Sequence, residues 1–96
     1  MTEVRISSAA EEEFADALMW YSQRSLRAAT EFDNEVDRAI QLISAAANQY
    51  PAFDERHRYY LLRRFPFAII YRIDEPGVVV VAIAHTSRSP GYWLMR

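Results

Sequence analysis

The stretch Phe67-Ala68-Ile69-Ile70-Tyr71-Arg72-Ile73-Asp74-Glu75-Pro76-Gly77-Val78-Val79-Val80-Val81-Ala82-Ile83-Ala84-His85 decides the fold. Two runs rich in β-branched and aromatic residues flank Glu75-Pro76-Gly77-Val78, a tight turn in which proline presets the first central dihedral and glycine accepts the second. With Pro76 and Gly77 as the loop residues, the register places Ile73 opposite Val80, Tyr71 opposite Ala82, Ile69 opposite Ala84 and Phe67 opposite Thr86. The other face pairs Arg72 with Val81, Ile70 with Ile83, and Ala68 with His85. Phe67, Ile69, Tyr71 and Ile73 make the bulkier face, which is expected to pack on helices and leave the second, cationic face partly open.

Upstream, Arg58 to Leu62 reads as a further strand, joined to the hairpin by a turn at Arg63 to Pro66, and Tyr50-Pro51-Ala52-Phe53-Asp54-Glu55 reads as a loop. Before that loop, Ala29, Phe32, Val36, Ala39, Ile40, Ile43 and Ala47 recur at helical spacing, with Ser25 as the cap. A first helix is expected from the capping box Ser8-Ala9-Ala10-Glu11, with Ala10, Phe14, Ala17, Leu18 and Tyr21 as its apolar stripe. Glu3 to Ser7 alternates as a short strand near a sheet edge. The order β-α-α-β-β-β predicts an α+β fold, a helical hairpin packed on an antiparallel sheet, with residues 1–96 forming a single domain.

The chain has 96 residues and a net charge of −2, which hides an asymmetry. Residues 1–48 hold nine carboxylates against four arginines, while residues 49–96 hold seven arginines against four carboxylates. All eleven basic residues are arginine, whose planar fork suits carboxylates, phosphates and aromatic faces. The basic half suits an anion or an acidic partner and is too weakly charged for a general nucleic-acid binder, so direct binding to duplex DNA is not expected. There is no cysteine, no leader-like amino terminus and no apolar run long enough for a bilayer, so a soluble cytoplasmic protein is expected.

Gly77 and Gly91 cannot build a phosphate-cradling loop, and no nucleophile motif is present. His57 and His85 lack His or Cys neighbours at ligand spacing, so neither a metal nor a cofactor is expected. His85, with Arg72 and Arg88 nearby, could act as a general acid or base while the arginines hold a phosphate. Its bland role is to close the strand by a hydrogen bond to Ser87, Thr86 or a backbone carbonyl. Arg63 and Arg64 are either a solvated turn or a contact for an acidic partner. After the Pro90-Gly91 break, Tyr92-Trp93-Leu94-Met95 either folds back over the core or offers an apolar patch.

Four features together resemble the RelE/ParE superfamily of toxins from type II toxin–antitoxin operons: the β-α-α-β-β-β order, the Trp20-Tyr21 pair, Leu62-Arg63-Arg64-Phe65-Pro66-Phe67-Ala68-Ile69-Ile70-Tyr71, and the closing His85-Thr86-Ser87-Arg88-Ser89-Pro90-Gly91-Tyr92-Trp93. The resemblance implies a bacterial cytosolic protein neutralised by an antitoxin that wraps it over the helices and sheet. It implies one of two actions, inhibition of DNA gyrase by ParE-like members or cleavage of mRNA on the ribosome by RelE-like ones. RelE-like nucleases carry an arginine where Ala68 stands, Arg88 matches their second arginine, and Tyr92 lies near their terminal catalytic tyrosine. With one cation missing, the expected activity is ParE-like and non-hydrolytic. A ribosome-dependent endoribonuclease using His85, Arg88 and Tyr92 is the second reading. Arg63, Arg64, Arg72, Arg88, Tyr92 and Trp93 are the residues expected to bind antitoxin or target.

Overall fold

The computed structural model describes residues 2–96. The chain forms β1 (Val4–Ile6), α1 (Ser8–Ser22), α2 (Leu26–Ala46), a short 3-10 turn (Ala47–Gln49), β2 (Arg58–Leu61), β3 (Phe67–Asp74) and β4 (Gly77–His85). The two helices pack on a four-stranded sheet of order β1-β4-β3-β2. The element order is the expected one, and β1 does lie at an edge. The sheet is mixed rather than wholly antiparallel, because the chain re-enters beside β1 only after the helices and two strands, and β4 then runs parallel to it.

Both helices start at a serine. Ser25 caps α2 as expected, its hydroxyl accepting from the Ala28 N–H at 3.1 Å. For α1 the cap is Ser7, one residue earlier than the sequence suggested. Ser7 serves two elements: its N–H donates to the Val80 carbonyl to end the parallel ladder, and its hydroxyl accepts from Ala10 N–H at 3.1 Å. Such a cap stabilises a helix by about 1 kcal/mol. At the far end of α2, the buried Tyr71 phenol donates to the Ala47 carbonyl at 2.6 Å, binding the helix end to the sheet.

The β3–β4 register departs from expectation at two points. The loop residues are Glu75 and Pro76, since Asp74 pairs with Gly77, and their joining peptide bond is cis. A Cβ at Gly77 would stand 3.0 Å from the Glu3 carbonyl oxygen, so the strand accepts β1 there only because the residue is glycine. Farther along, Tyr71 pairs with Val80 but Ile70 pairs with Ala82, leaving Val81 as an extra residue in β4. Up to the bulge, Val78 and Val80 face the helices with Phe67, Ile69, Tyr71 and Ile73, as expected. Beyond it the alternation inverts: Ile83 joins the helix-side core, and Ala82 and Ala84 turn to the second face. His85 lies opposite Phe67, not Ala68.

The second face is not open, which corrects the expectation of an uncovered cationic surface. Ala68, Ile70, Val79, Val81, Ala82 and Ala84 are buried there, covered by the chain's own tail and loop. The positive-φ Gly91 turns the backbone, and Trp93, 5% exposed, lies in this second core with Phe53 set edge-on to its ring at 5.2 Å. Three alanines make the room that the indole fills, so the tail folds back on the core.

In the main core, the fully buried Phe32 ring touches Phe14, Tyr21, Phe65 and Phe67, with centroids 5.1 to 5.7 Å apart. Phe32→Ala is expected to cost about 3–5 kcal/mol, read as a lowered urea midpoint with an unchanged slope.

Candidate functional site

β1 ends at Ile6, but β4 continues to His85, so the flank of β4 beyond Val80 has no neighbouring strand to bond with. Two side chains take the strand's place. The Glu13 carboxylate of α1 accepts the Ile83 N–H at 2.9 Å, and the Arg96 guanidinium donates to the Val81 carbonyl at 3.0 Å. The two also pair with each other at 3.2 Å. Glu13 further accepts from the Tyr92 phenol at 2.8 Å and holds an Arg88 nitrogen at 3.7 Å. The Arg88 guanidinium lies over the Tyr92 ring, 3.9 Å from its centroid. One largely buried carboxylate therefore joins α1, β4 and the tail.

Sequence reasoning named Arg88 and Tyr92 but missed Glu13. The signal was present. Glu13 stands three residues after Ala10 and four before Ala17, both buried, so helical period alone puts it on the inner face despite its place in an acidic run.

This cluster forms one wall of an open groove of about 570 Å³ between α1 and the end of the hairpin. Its other walls include Trp20, Tyr21, Phe67 and His85. The Trp20 side chain is half exposed, and Arg24 stacks on it at 3.8 Å. The His85 ring stands edge-on to Phe67 at 5.0 Å, and its Nδ1 accepts the Ser87 N–H at 3.1 Å. With Nδ1 an acceptor, the ring proton sits on Nε2 in the neutral form. Tyr92 is a poor base: burial, then the hydrogen bond and negative charge of Glu13, push its phenol up to about 12. It is a hydrogen-bond donor at neutral pH.

The structure brings His85, Arg88 and Tyr92 together, but not the remaining arginines. Arg63 and Arg64 lie at the β2–β3 turn, whose backbone amides both donate to the Glu35 carboxylate of α2. With Arg38 they flank a groove of about 360 Å³ over Leu42 and Tyr60. Arg72 stands at the far end of the second face, paired with Asp74 at 3.2 Å. Trp93 is spent on internal packing, and Ala68 lies buried in the same second core. Among the described residues no cluster of three or more metal-ligating side chains occurs, and no helix is long and apolar enough to cross a membrane.

A helical hairpin thus packs on a mixed four-stranded sheet, with the tail clasped to the first helix through Glu13. The family described as "ParE toxin of type II toxin-antitoxin system, parDE" matches residues 4–90, and the chain belongs to that family. A solved chain from the chromosomal ParDE TA system of P. aeruginosa is similar in fold, with a TM-score of 0.79 at 15% identity over 91% of this chain and 98% of that one. No curated protein matches the chain.

Two outcomes are expected, one of the clasp and one of the buried phenols. In Glu13→Ala, the Ile83 amide is expected to lose its hydrogen-exchange protection by at least about tenfold, together with the tail amides, while the Phe32 core stays protected. The second concerns alkali. Burial drives the Tyr71 phenol, like that of Tyr92, up from 10.0 to about 12. A raised folded-state pKa means that the folded chain keeps a proton the unfolded chain has lost, so stability is full below pH 10 and falls as pH rises to about 12. Melting curves across that window should show the slope diminished in Tyr92→Phe and in Tyr71→Phe.

Proposed function

We propose that the chain is a cytoplasmic growth-inhibiting toxin that acts by binding DNA gyrase, without hydrolysis, and that a cognate antitoxin neutralises it. Membership of the ParE toxin family supports the toxin reading. The observation that carries the non-hydrolytic choice is the state of the one trio suited to RNA cleavage. Tyr92 is held as a neutral phenol donating to Glu13, His85 Nδ1 is engaged by Ser87, and Arg88 is partly neutralised by Glu13 and stacked on Tyr92. Cleavage at a 2′-hydroxyl needs a free base and uncommitted cations for the phosphorane charge, and this arrangement supplies neither in full.

The two grooves divide the partners. The one bearing Arg38, Arg63 and Arg64 also carries Glu31 and Glu35, so its rim is of mixed charge with one cation in excess over an apolar floor of Leu42 and Tyr60, suited to an antitoxin segment with aliphatic anchors and an acidic group for the guanidiniums. The groove with exposed Trp20 and Arg88 is the surface offered to the target, since half-exposed tryptophan and arginine are the residue types that anchor interfaces. Duplex DNA and membrane are not partners in this reading.

Purified chain should block supercoiling by gyrase and leave mRNA intact in a ribosome-programmed translation reaction. Transcripts cut in the ribosomal A site would overturn the gyrase reading and favour the endoribonuclease. Arg63→Glu with Arg64→Glu is expected to weaken antitoxin binding by about tenfold or more while growth inhibition persists.

A further inference from the structure

A third groove takes no part in the toxin reading. It runs between α1 and α2, has a volume of about 400 Å³, and is floored by Phe14, Val36, Ile40 and Ile83. These side chains belong to the main core or pack against it, so the core reaches the surface here. Ala15, exposed on the α1 wall, adds only a methyl group and keeps the groove open. The charged residues of the lining are Glu11 of α1 and Asp33 and Asp37 of α2, with no cation among them, unlike both grooves described above.

All three carboxylates are exposed, and none forms an ion pair among the described residues. Asp37 accepts only from the neutral Gln41 side chain, at 3.1 Å. By contrast Glu13, Glu31 and Glu35, on other faces of the same helices, are matched: Glu13 by Arg88 and Arg96, Glu31 by Arg27 and Arg64, Glu35 by the Arg63 and Arg64 amides. Asp33 and Asp37 stand one turn apart on α2, where like charges repel. The positions one turn to either side are Ala29, Thr30, Ile40 and Gln41, none of them cationic. The hairpin therefore carries an uncompensated negative rim around exposed apolar surface.

We propose that this groove docks a cationic amphipathic helix of a partner protein, its aliphatic side chains on the floor and its lysines or arginines facing Glu11 on one flank and Asp33 and Asp37 on the other. Both walls are helices whose main-chain groups are bonded internally. An extended segment would find nothing there to pair with its own N–H and C=O groups, whereas a helix brings its bonds with it. The α2 wall from Asp33 to Ile40 spans about 10 Å at 1.5 Å per residue, or two turns, so two anchors one turn apart fill it. A second copy docked by the same face in a two-fold contact would set carboxylates against carboxylates. Among the described residues no group of three acids is placed to hold a metal ion, which leaves a cation carried on an apolar helix as the fitting occupant. The proposal is independent of the gyrase reading and of the other two grooves.

The test is an NMR titration of the full chain, methyl-labelled at alanine and isoleucine, at pH 7 and low salt. The probes are three amphipathic peptides of about 16 residues, long enough to hold a helix: one of leucine and lysine, one with glutamate in place of lysine, and one with serine in place of leucine. The leucine–lysine peptide is expected to shift the Ala15 and Ile40 methyl signals saturably, with a dissociation constant on the order of 100 μM, and the other two to bind at least about tenfold more weakly. Asp33→Asn with Asp37→Asn keeps the shape of the rim and should weaken the leucine–lysine peptide by about tenfold. Ala15→Arg, a long cationic side chain at an exposed position on the wall, should abolish the shift at Ile40, whereas Glu12→Gln, at an exposed carboxylate off the groove, should leave the affinity unchanged. The proposal is overturned by the absence of saturable shifts, by equal binding of either control peptide, or by an effect of Glu12→Gln as large as that of the paired aspartate change. Shifts at Ala15 and Ile40 that grow with protein concentration alone would assign the groove to a second copy and overturn it as well.

Discussion

One unpaired residue, Val81, governs what each side of the sheet can do. A bulge inverts the in–out alternation of everything that follows it in the strand. Without it, Ile83 would face away from the helices, and Ala82 and Ala84 would waste helix-side core volume. With it, the alanines floor the second face and admit an indole, while Ile83 and His85 turn toward α1. The covered second face and the groove beneath α1 are thus two results of a single inserted residue.

On its other flank β4 has backbone groups beyond Val80 without a strand to answer them, because β1 is only three residues long. Glu13 and Arg96 fill that role as an ion pair whose members each bond the main chain. Such a pair gains more than an exposed one, since its carboxylate is largely shielded and each partner satisfies a group that would otherwise be unpaired. Arg88 and Tyr92 then owe their placement to Glu13. Their mutual stacking makes a rigid, partly cationic rim on the groove, better suited to being recognised than to shuttling protons.

Much of this fold was legible in the chain. Period-3.6 stripes gave both helices, and the stripe of α2 names five of its buried residues, Ala29, Phe32, Val36, Ala39 and Ile43. The strand Phe67–Asp74 and its helix-facing side were readable because alternation survives on a strand with no bulge. What failed was local geometry that side-chain type does not encode. Pro76-Gly77 fits a tight turn as well as Glu75-Pro76 does, and only the fit of Gly77 against Glu3 separates them. Four consecutive valines carry no mark showing which one is extra. The site was half readable: His85, Arg88 and Tyr92 do converge, whereas Arg63, Arg64 and Arg72 are scattered because closeness in sequence or charge says nothing of which sheet end a turn occupies.

The clasp has a further bearing on how copies of this chain coexist in solution. A strand flank with free main-chain groups is a template on which a second molecule can add a strand, the first step toward fibres. Here the vulnerable ladder segment is occupied by a carboxylate and a guanidinium that no incoming backbone can displace cheaply. The same two charges that fasten the tail therefore guard this flank of β4 against strand addition.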